Sequence, residues 1–254
     1  MSKVSPKKHL GQHFLMDETI ARRIVESLTI RKQAAVIEIG PGMGMLTKYL
    51  LDRPGLKTMD VDKESVDYLR CNYQTHSEKF LFQDFLKSNL NAYASPLQVI
   101  GNLPYNISSQ IFFKIYDYRD KVVDVVCMIQ KEVADRIVSK EGNKIYGILS
   151  VLLQAYYNVE YLFTVDPGVF NPPPKVNSAV IRLTRNDVQN LDCDESLFKR
   201  VVKSGFGKRR KTLRNALKDL NLSLENVPDE LLSSRAEQLS VASFVSLTKY
   251  LSHE

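Results

Sequence analysis

The chain has 254 residues, 44% of them hydrophobic and 25% charged. That length and balance exclude a disordered or fibrous chain and suit one large domain, or a medium one with a small one. The formal charge of +6 and pI of about 9.1 lean toward an anionic partner. Cys71, Cys127 and Cys193 are isolated in sequence, which excludes a zinc-ligand pattern and a disulfide framework. They suit a reducing compartment, and cytoplasmic localisation is the expectation. No apolar run is long enough to span a bilayer and no stretch reads as a signal peptide, so no membrane partner is expected.

The chain opens on a basic arm with Lys3, Lys7, Lys8 and His9, then reads Gly11-Gln12-His13-Phe14-Leu15. Asp17 is placed to cap a helix to about Leu28, since Ile20, Ile24, Val25 and Leu28 share a face. Ala35 to Ile39 reads as a buried strand. It leads into the glycine turn Gly40-Pro41-Gly42-Met43-Gly44 and a helix from Met45 to Leu51. Strands follow at Leu56–Val61, Phe80–Gln83, Pro96–Ile100 and Val122–Ile129. Between them come helices at Glu64–Cys71, Ser108–Tyr118 and Lys131–Ser139. Strand and helix alternate over short connections, which predicts an α/β unit with a mostly parallel sheet covered on both faces. Leu149 to Tyr157 fits a strand or a helix. Val176 to Leu183 reads as a strand, after the stiff loop Phe170-Asn171-Pro172-Pro173-Pro174-Lys175. Past Arg185 the pattern is helical: Leu197–Ser204, Lys211–Leu220, Asp229–Leu232 and Val241–Leu251. The expected division is therefore 1–185 and 186–254.

Two stretches carry chemistry. The glycine turn lets backbone approach a ligand closely. Its spacing, Gly-x-Gly-x-Gly, is neither the dinucleotide fingerprint nor a P-loop. Asp60 stands twenty residues beyond Gly40 at the next strand end, where a carboxylate can accept from ribose hydroxyls. On register it is preferred to Asp62. Asp84, one strand later, can accept from an adenine amino group. A glycine turn followed by acids at two successive strand ends is the outline of an S-adenosylmethionine site. The second stretch is Gly101-Asn102-Leu103-Pro104-Tyr105-Asn106, at the carboxyl end of the fourth strand, where ligands of open α/β sheets bind. An amide oxygen and nearby carbonyls can accept from an amino group, and a tyrosine ring can stack on a base. The reading is a pocket for the exocyclic amine of a nucleobase.

LGQHFL, EIGPGMG, FQDF, GNLPYNISS, QKEVADR, YGILSV, FNPPPKVNSAVIRL and FGKRRKTLRNAL occur in that order. From about Pro6 to its end the chain resembles the KsgA/RsmA ribosomal RNA adenine dimethyltransferases. The resemblance implies a Rossmann-like class I methyltransferase fold with a seven-stranded sheet, plus a small all-α C-terminal domain that binds RNA. It implies S-adenosylmethionine as donor, no metal, and dimethylation of two adjacent adenosines in a hairpin near the 3′ end of small-subunit rRNA. The substrate would be a pre-30S particle and the role ribosome biogenesis. Donor-contacting positions of the family fall on His13, Leu15, Gly40, Asp60, Asp84 and Asn102. His13 stands where asparagine is frequent, and Asp60 where glutamate is frequent.

For the transfer itself, the Asn102 side-chain oxygen and the Pro104 carbonyl are expected to accept the amine hydrogens and aim the lone pair. Tyr105 is expected to stack on one face of the base and Phe170 to close the other. From Lys199 to Lys218 there are nine basic residues and no acidic one. Within that block Lys208, Arg209, Arg210, Lys211 and Arg214 are the expected RNA-phosphate contacts, extended by the basic arm. A monomer suffices for this scheme. The alternatives are an Erm-type large-subunit rRNA adenine methyltransferase and a non-catalytic ribosome assembly factor.

Overall fold

A computed structural model describes residues 4–29 and 33–252; Lys3 lies outside the described residues. By internal contacts the chain divides into two compact units. The first is Met1–Ala134 with Val159–Arg185, and the second is Asp135–Asn158 with Asn186–Glu254. The division expected at 185/186 thus leaves out residues 135–158. That segment is interposed in sequence between strands of the first unit, so no composition shift marks it.

The first unit is built on a seven-stranded sheet. Its strands are β2 (Ala35–Ile39), β3 (Lys57–Asp60), β4 (Phe80–Phe82), β5 (Leu97–Asn102), β6 (Val122–Gln130), β7 (Tyr157–Val165) and β9 (Ser178–Arg185). The order is β4-β3-β2-β5-β6-β9-β7. β2 to β6 pair in parallel and β9 joins β6 antiparallel. A separate two-stranded ladder joins β1 (Phe14–Leu15) to β8 (Phe170–Asn171), with Leu15 opposite Phe170. The fold is a Rossmann-like class I methyltransferase fold.

Every residue of β2 is buried, as a strand covered on both faces requires. The central strands place Val36, Ile100, Val126 and Met128 in a core shared with Leu15, Ala21, Ile24 and Phe170. At Gly101 the backbones of β2 and β5 come close: an added Cβ would lie 2.5 Å from the Ile39 carbonyl oxygen. Helices α1 (Glu18–Glu26), α2 (Lys63–Asn72) and α3 (Ser108–Asp117) connect the strands, and α4 (Lys131–Val138) follows β6. Asp17 caps α1, accepting from the Ile20 amide at 2.9 Å, and Asp62 caps α2 through the Glu64 amide at 3.1 Å.

Two local expectations are corrected. The helix expected at Met45–Leu51 is a run of turns with only a 3-10 segment, Thr47–Tyr49. Gly40, Gly42 and Gly44 hold φ of 65°, 52° and 85°, which keeps the chain out of α geometry up to Met45. The ambiguous stretch resolves into both candidates in turn: α5 (Ile148–Gln154), then β7 from Tyr157.

The second unit is helical, with α5, α6 (Glu195–Gly207), α7 (Leu213–Ala216), α8 (Asp229–Ser233) and α9 (Val241–Ser252). Phe198, Val201, Val202, Leu213, Phe244 and Leu247 are buried in it. Phe206 meets Tyr146 edge-on and Phe244 at a tilt, each with centroids 5.9 Å apart. Asp194 caps α6 through the Ser196 and Leu197 amides at 2.8 and 3.0 Å.

Candidate active site

The carboxyl ends of β2, β3, β4 and β5 open on two adjoining cavities of about 200 and 190 Å³. Phe14, Gly40, Gly42 and Asn102 line both. Together they fall in the usual size range of small-molecule sites, roughly 300–1,000 Å³. The first is also lined by His13, Asp60, Asp84, Pro104 and Tyr105; the second by Leu15, Glu38 and Lys48.

The glycine turn brings backbone to the cavity wall. A Cβ on Gly42 would lie 2.9 Å from the Phe14 ring, so the turn and the N-terminal segment meet only because that atom is absent. The Gly42 amide points at Asp60 Oδ2 (3.4 Å), and the Asp62 amide donates to Asp60 Oδ1 (2.8 Å). Asp60 is 7% exposed, and burial pushes its carboxyl up to about 6 against those hydrogen bonds. Asp62, two residues on, is already committed to the protein. It caps α2, accepts from Ser65 Oγ at 3.0 Å and Gln12 Nε2 at 3.3 Å, and pairs with Lys7. Burial would raise its carboxyl, but these bonds outweigh burial and hold it below the usual range. Asp84 caps the turn after β4 through the Leu86 amide (2.8 Å).

At the end of β5, Asn102 Nδ2 donates to the His13 carbonyl oxygen at 2.8 Å. A carbonyl only accepts, so this bond fixes the amide orientation and leaves Oδ1 as an acceptor without a partner among the described residues. The Pro104 carbonyl accepts from the Ile107 amide at 3.2 Å, which occupies one of its two lone pairs. Tyr105 is held at its hydroxyl, 2.5 Å from Ser178 Oγ. Burial raises its phenol, partly offset by that hydrogen bond.

Phe170 does not line either cavity. Its ring is 4% exposed, in the core with Leu15 and Ile24, because the β1–β8 ladder turns it inward. Burying such a ring contributes about 1.5–3 kcal/mol. Stacking on a base returns roughly 1–3 kcal/mol. Drawing it out to cover a base therefore gives no net gain, and the expectation for Phe170 does not fit its placement. The ring beside Tyr105 at the cavity is that of His13, near-parallel at 5.2 Å and 28°.

Glu38 was not among the expected site residues. It is 1% exposed, accepts from Thr47 Oγ1 at 2.7 Å, and burial pushes its carboxyl up to about 8. An acid in the strand immediately before a glycine turn was the available signal. Near neutrality Glu38 therefore keeps its proton and adds no charge, so the negative lining is that of Asp60 and Asp84, against one cation, Lys48. That donor set fits a cationic, ribose-bearing ligand. It does not fit a dinucleotide pyrophosphate, which needs a helix amino terminus that the turn lacks. Among the described residues no cluster of His, Cys, Asp and Glu is placed to hold a metal.

The five expected RNA contacts lie in the second unit, between α6 and the end of α7. Three are engaged inside the fold. Lys208 pairs with Asp219 at 2.6 Å and Arg214 with Asp229. Arg209 donates to the Lys144 carbonyl, and to that of Tyr146 at 3.3 Å. Arg210 and Lys211 are exposed and have no ion pair among the described residues. The acids come from outside the basic block, so the block is less positive in the fold than in the sequence. In the basic arm, Lys7 is tied to Asp62 and Glu64, while Lys8 and His9 are exposed. No helix among the described residues is long and apolar enough to cross a membrane.

A family model described as ribosomal RNA adenine dimethylase matches residues 4–253. The chain is 53% identical over 252 residues to ribosomal RNA small subunit methyltransferase A of Flavobacterium johnsoniae, covering 98% of this chain and 97% of that protein. Among solved structures it is similar to a dimethyladenosine transferase from Plasmodium falciparum, with TM-score 0.77, 25% identity, and 92% and 96% of the two chains covered. It shares its fold with the 23S rRNA methyltransferase ErmE, with TM-score 0.71, 24% identity, and 94% and 99% covered. The chain belongs to the ribosomal RNA adenine dimethylase family and is an S-adenosylmethionine-dependent rRNA methyltransferase.

Proposed function

We propose that this protein dimethylates two adjacent adenosines in a hairpin near the 3′ end of small-subunit rRNA, acting as a cytoplasmic monomer on a pre-30S particle. The observation that carries the site reading is the placement of Asn102, on the wall common to both cavities with its acceptor oxygen unspent. When bound, the donor supplies an electrophilic methyl group on a positively charged sulfur. The ionised Asp60 accepts from the ribose hydroxyls, and Asp84 from the adenine amine of the donor. Gly40 and the backbone of Leu15 allow close approach, and Asp60 and Asp84 add negative potential. Asn102 Oδ1 and the second lone pair of the Pro104 carbonyl accept the two hydrogens of the target amine. The nitrogen pyramidalises and its lone pair faces the methyl group, which is positioning plus preorganised electrostatics. The target base leaves its stack to reach Tyr105. The two units take separate roles: the sheet unit does chemistry and the helical one holds RNA, chiefly through Arg210 and Lys211, with Lys208, Arg209 and Arg214 contributing where their internal partners yield.

Identity of 53% to a small-subunit enzyme favours this reading over an Erm-type one, whose structural likeness extends to the fold. Purified protein incubated with radiolabelled donor and unmethylated small subunits tests it. Label in dimethyladenosine of small-subunit rRNA is expected. Label in large-subunit rRNA would favour the Erm-type reading, and none in either would leave a binding factor.

A further inference from the structure

We propose that His13 is a positioning residue for the target adenine, setting the plane of the Tyr105 ring and the rotamer of Asn102. The inference rests on the function proposed above. It begins from Phe170: with that ring buried, the first cavity is lined by the rings of Phe14, His13 and Tyr105, of which His13 and Tyr105 lie near-parallel and 5.2 Å apart. Neither is free to turn. Tyr105 is held at its tip by Ser178 Oγ, at 2.5 Å. His13 Nδ1 lies 2.8 Å from the Pro172 carbonyl oxygen. That oxygen only accepts, so Nδ1 is the donor. The bond anchors the ring, which acts as a brace.

The contacts close a circuit through three loops. Pro172 and Ser178 belong to the segment before and at the start of β9; one holds His13 and the other holds Tyr105. His13 leans on Tyr105. Its main-chain oxygen takes the Asn102 Nδ2 hydrogen and so points Asn102 Oδ1 away from the loop. A base stacked on Tyr105 thus meets a ring whose tilt is fixed, beside an acceptor whose direction is fixed. Misplacement by about 1 Å at such a site costs on the order of 100-fold in rate.

The side-chain and main-chain parts separate by mutation, since His13→Ala keeps the carbonyl that orients Asn102. The test is steady-state methylation of unmethylated small subunits by wild type, His13→Ala, His13→Asn and His13→Phe, with titration of each by S-adenosylmethionine. For His13→Ala the expected result is a kcat lower by about 10-fold or more, with donor affinity within about twofold of wild type. Monomethyladenosine should accumulate, because the monomethylated amine is bulkier and has one hydrogen for two acceptors. His13→Asn, which keeps an amide donor for the Pro172 carbonyl but loses the ring, and His13→Phe, which keeps a ring but loses the anchor, should each recover only part of kcat. An unchanged kcat and product ratio in His13→Ala would overturn the proposal. So would a loss of donor affinity as large as the loss of kcat/KM, which would assign His13 to the donor alone. Absence of methylation by the wild type would overturn the functional reading as well.

Discussion

The cavity in the sheet unit and the basic block in the helical unit are opposite ways of building a site. The cavity draws its lining from residues 10 to 107, at the ends of four strands and in the N-terminal segment. No one of those residues is conspicuous alone; they act because parallel strands end side by side. The basic block is contiguous and conspicuous, yet folding spends part of it on Asp219, Asp229 and two carbonyls. A site assembled from dispersed parts keeps the meaning its residues have in sequence. A site made of one charged run has its strength set by whatever packs beside it.

Four measurements would break or sharpen that contrast. The largest effect is expected at Asn102: Asn102→Ala should lower methyl transfer by ~10²–10³-fold, as loss of a preorganised polar group does, with RNA affinity unchanged. Equal turnover would remove the amide from the mechanism. Next comes Asp60. Accepting from two ribose hydroxyls needs the carboxylate, and burial places its titration at about 6. Donor affinity in the wild type should fall as pH drops through about 6, and Asp60→Asn should bind weakly with no such dependence. A pH-independent wild type would place the ribose elsewhere.

In the block, charge reversal of Arg210 and Lys211 together should weaken RNA capture and cut the slope of log affinity against log salt by about two. Reversal of Lys208 should do less, because its cation faces Asp219. Equal effects would mean that RNA displaces the acids freely, as the small worth of exposed pairs, about 0–1 kcal/mol, permits. The smallest effect concerns stability. Glu38 titrates at about 8 in the fold and in the ordinary carboxylate range when unfolded. Between those values the folded chain binds the extra proton, so stability falls as pH rises toward about 8. Glu38→Gln should flatten that part of a plot of Tm against pH; an undiminished slope would assign it to other groups.

The alternation of strand and helix was legible because buried parallel strands are short apolar runs closed by turn-formers, and β2 ends where its glycines begin. The acids at strand ends and the amide of GNLPYN were legible for the same reason. Other features were hidden by distance along the chain. The two-residue strands β1 and β8 are too short to carry a period, so nothing in the sequence tells that Leu15 lies opposite Phe170. That ladder buries Phe170 and leaves His13 beside Tyr105. The apolar stretch from Ile148 to Val165 has no dominant period, because a fully buried helix runs almost directly into a strand. The acids that neutralise Lys208 and Arg214 lie eleven and fifteen residues on, beyond any local reading of charge.

Gly101 gives the centre of the molecule a further property. Its missing methyl group is what lets β2 and β5 lie close enough for the glycine turn and the amide to share one wall. In the function proposed above, the gap between donor and target amine is thus gauged by backbone against backbone, with no side chain at position 101 that could swing or swell. Any larger residue at position 101 would have to push the two strands apart, so that spacing depends on the absence of a single carbon atom.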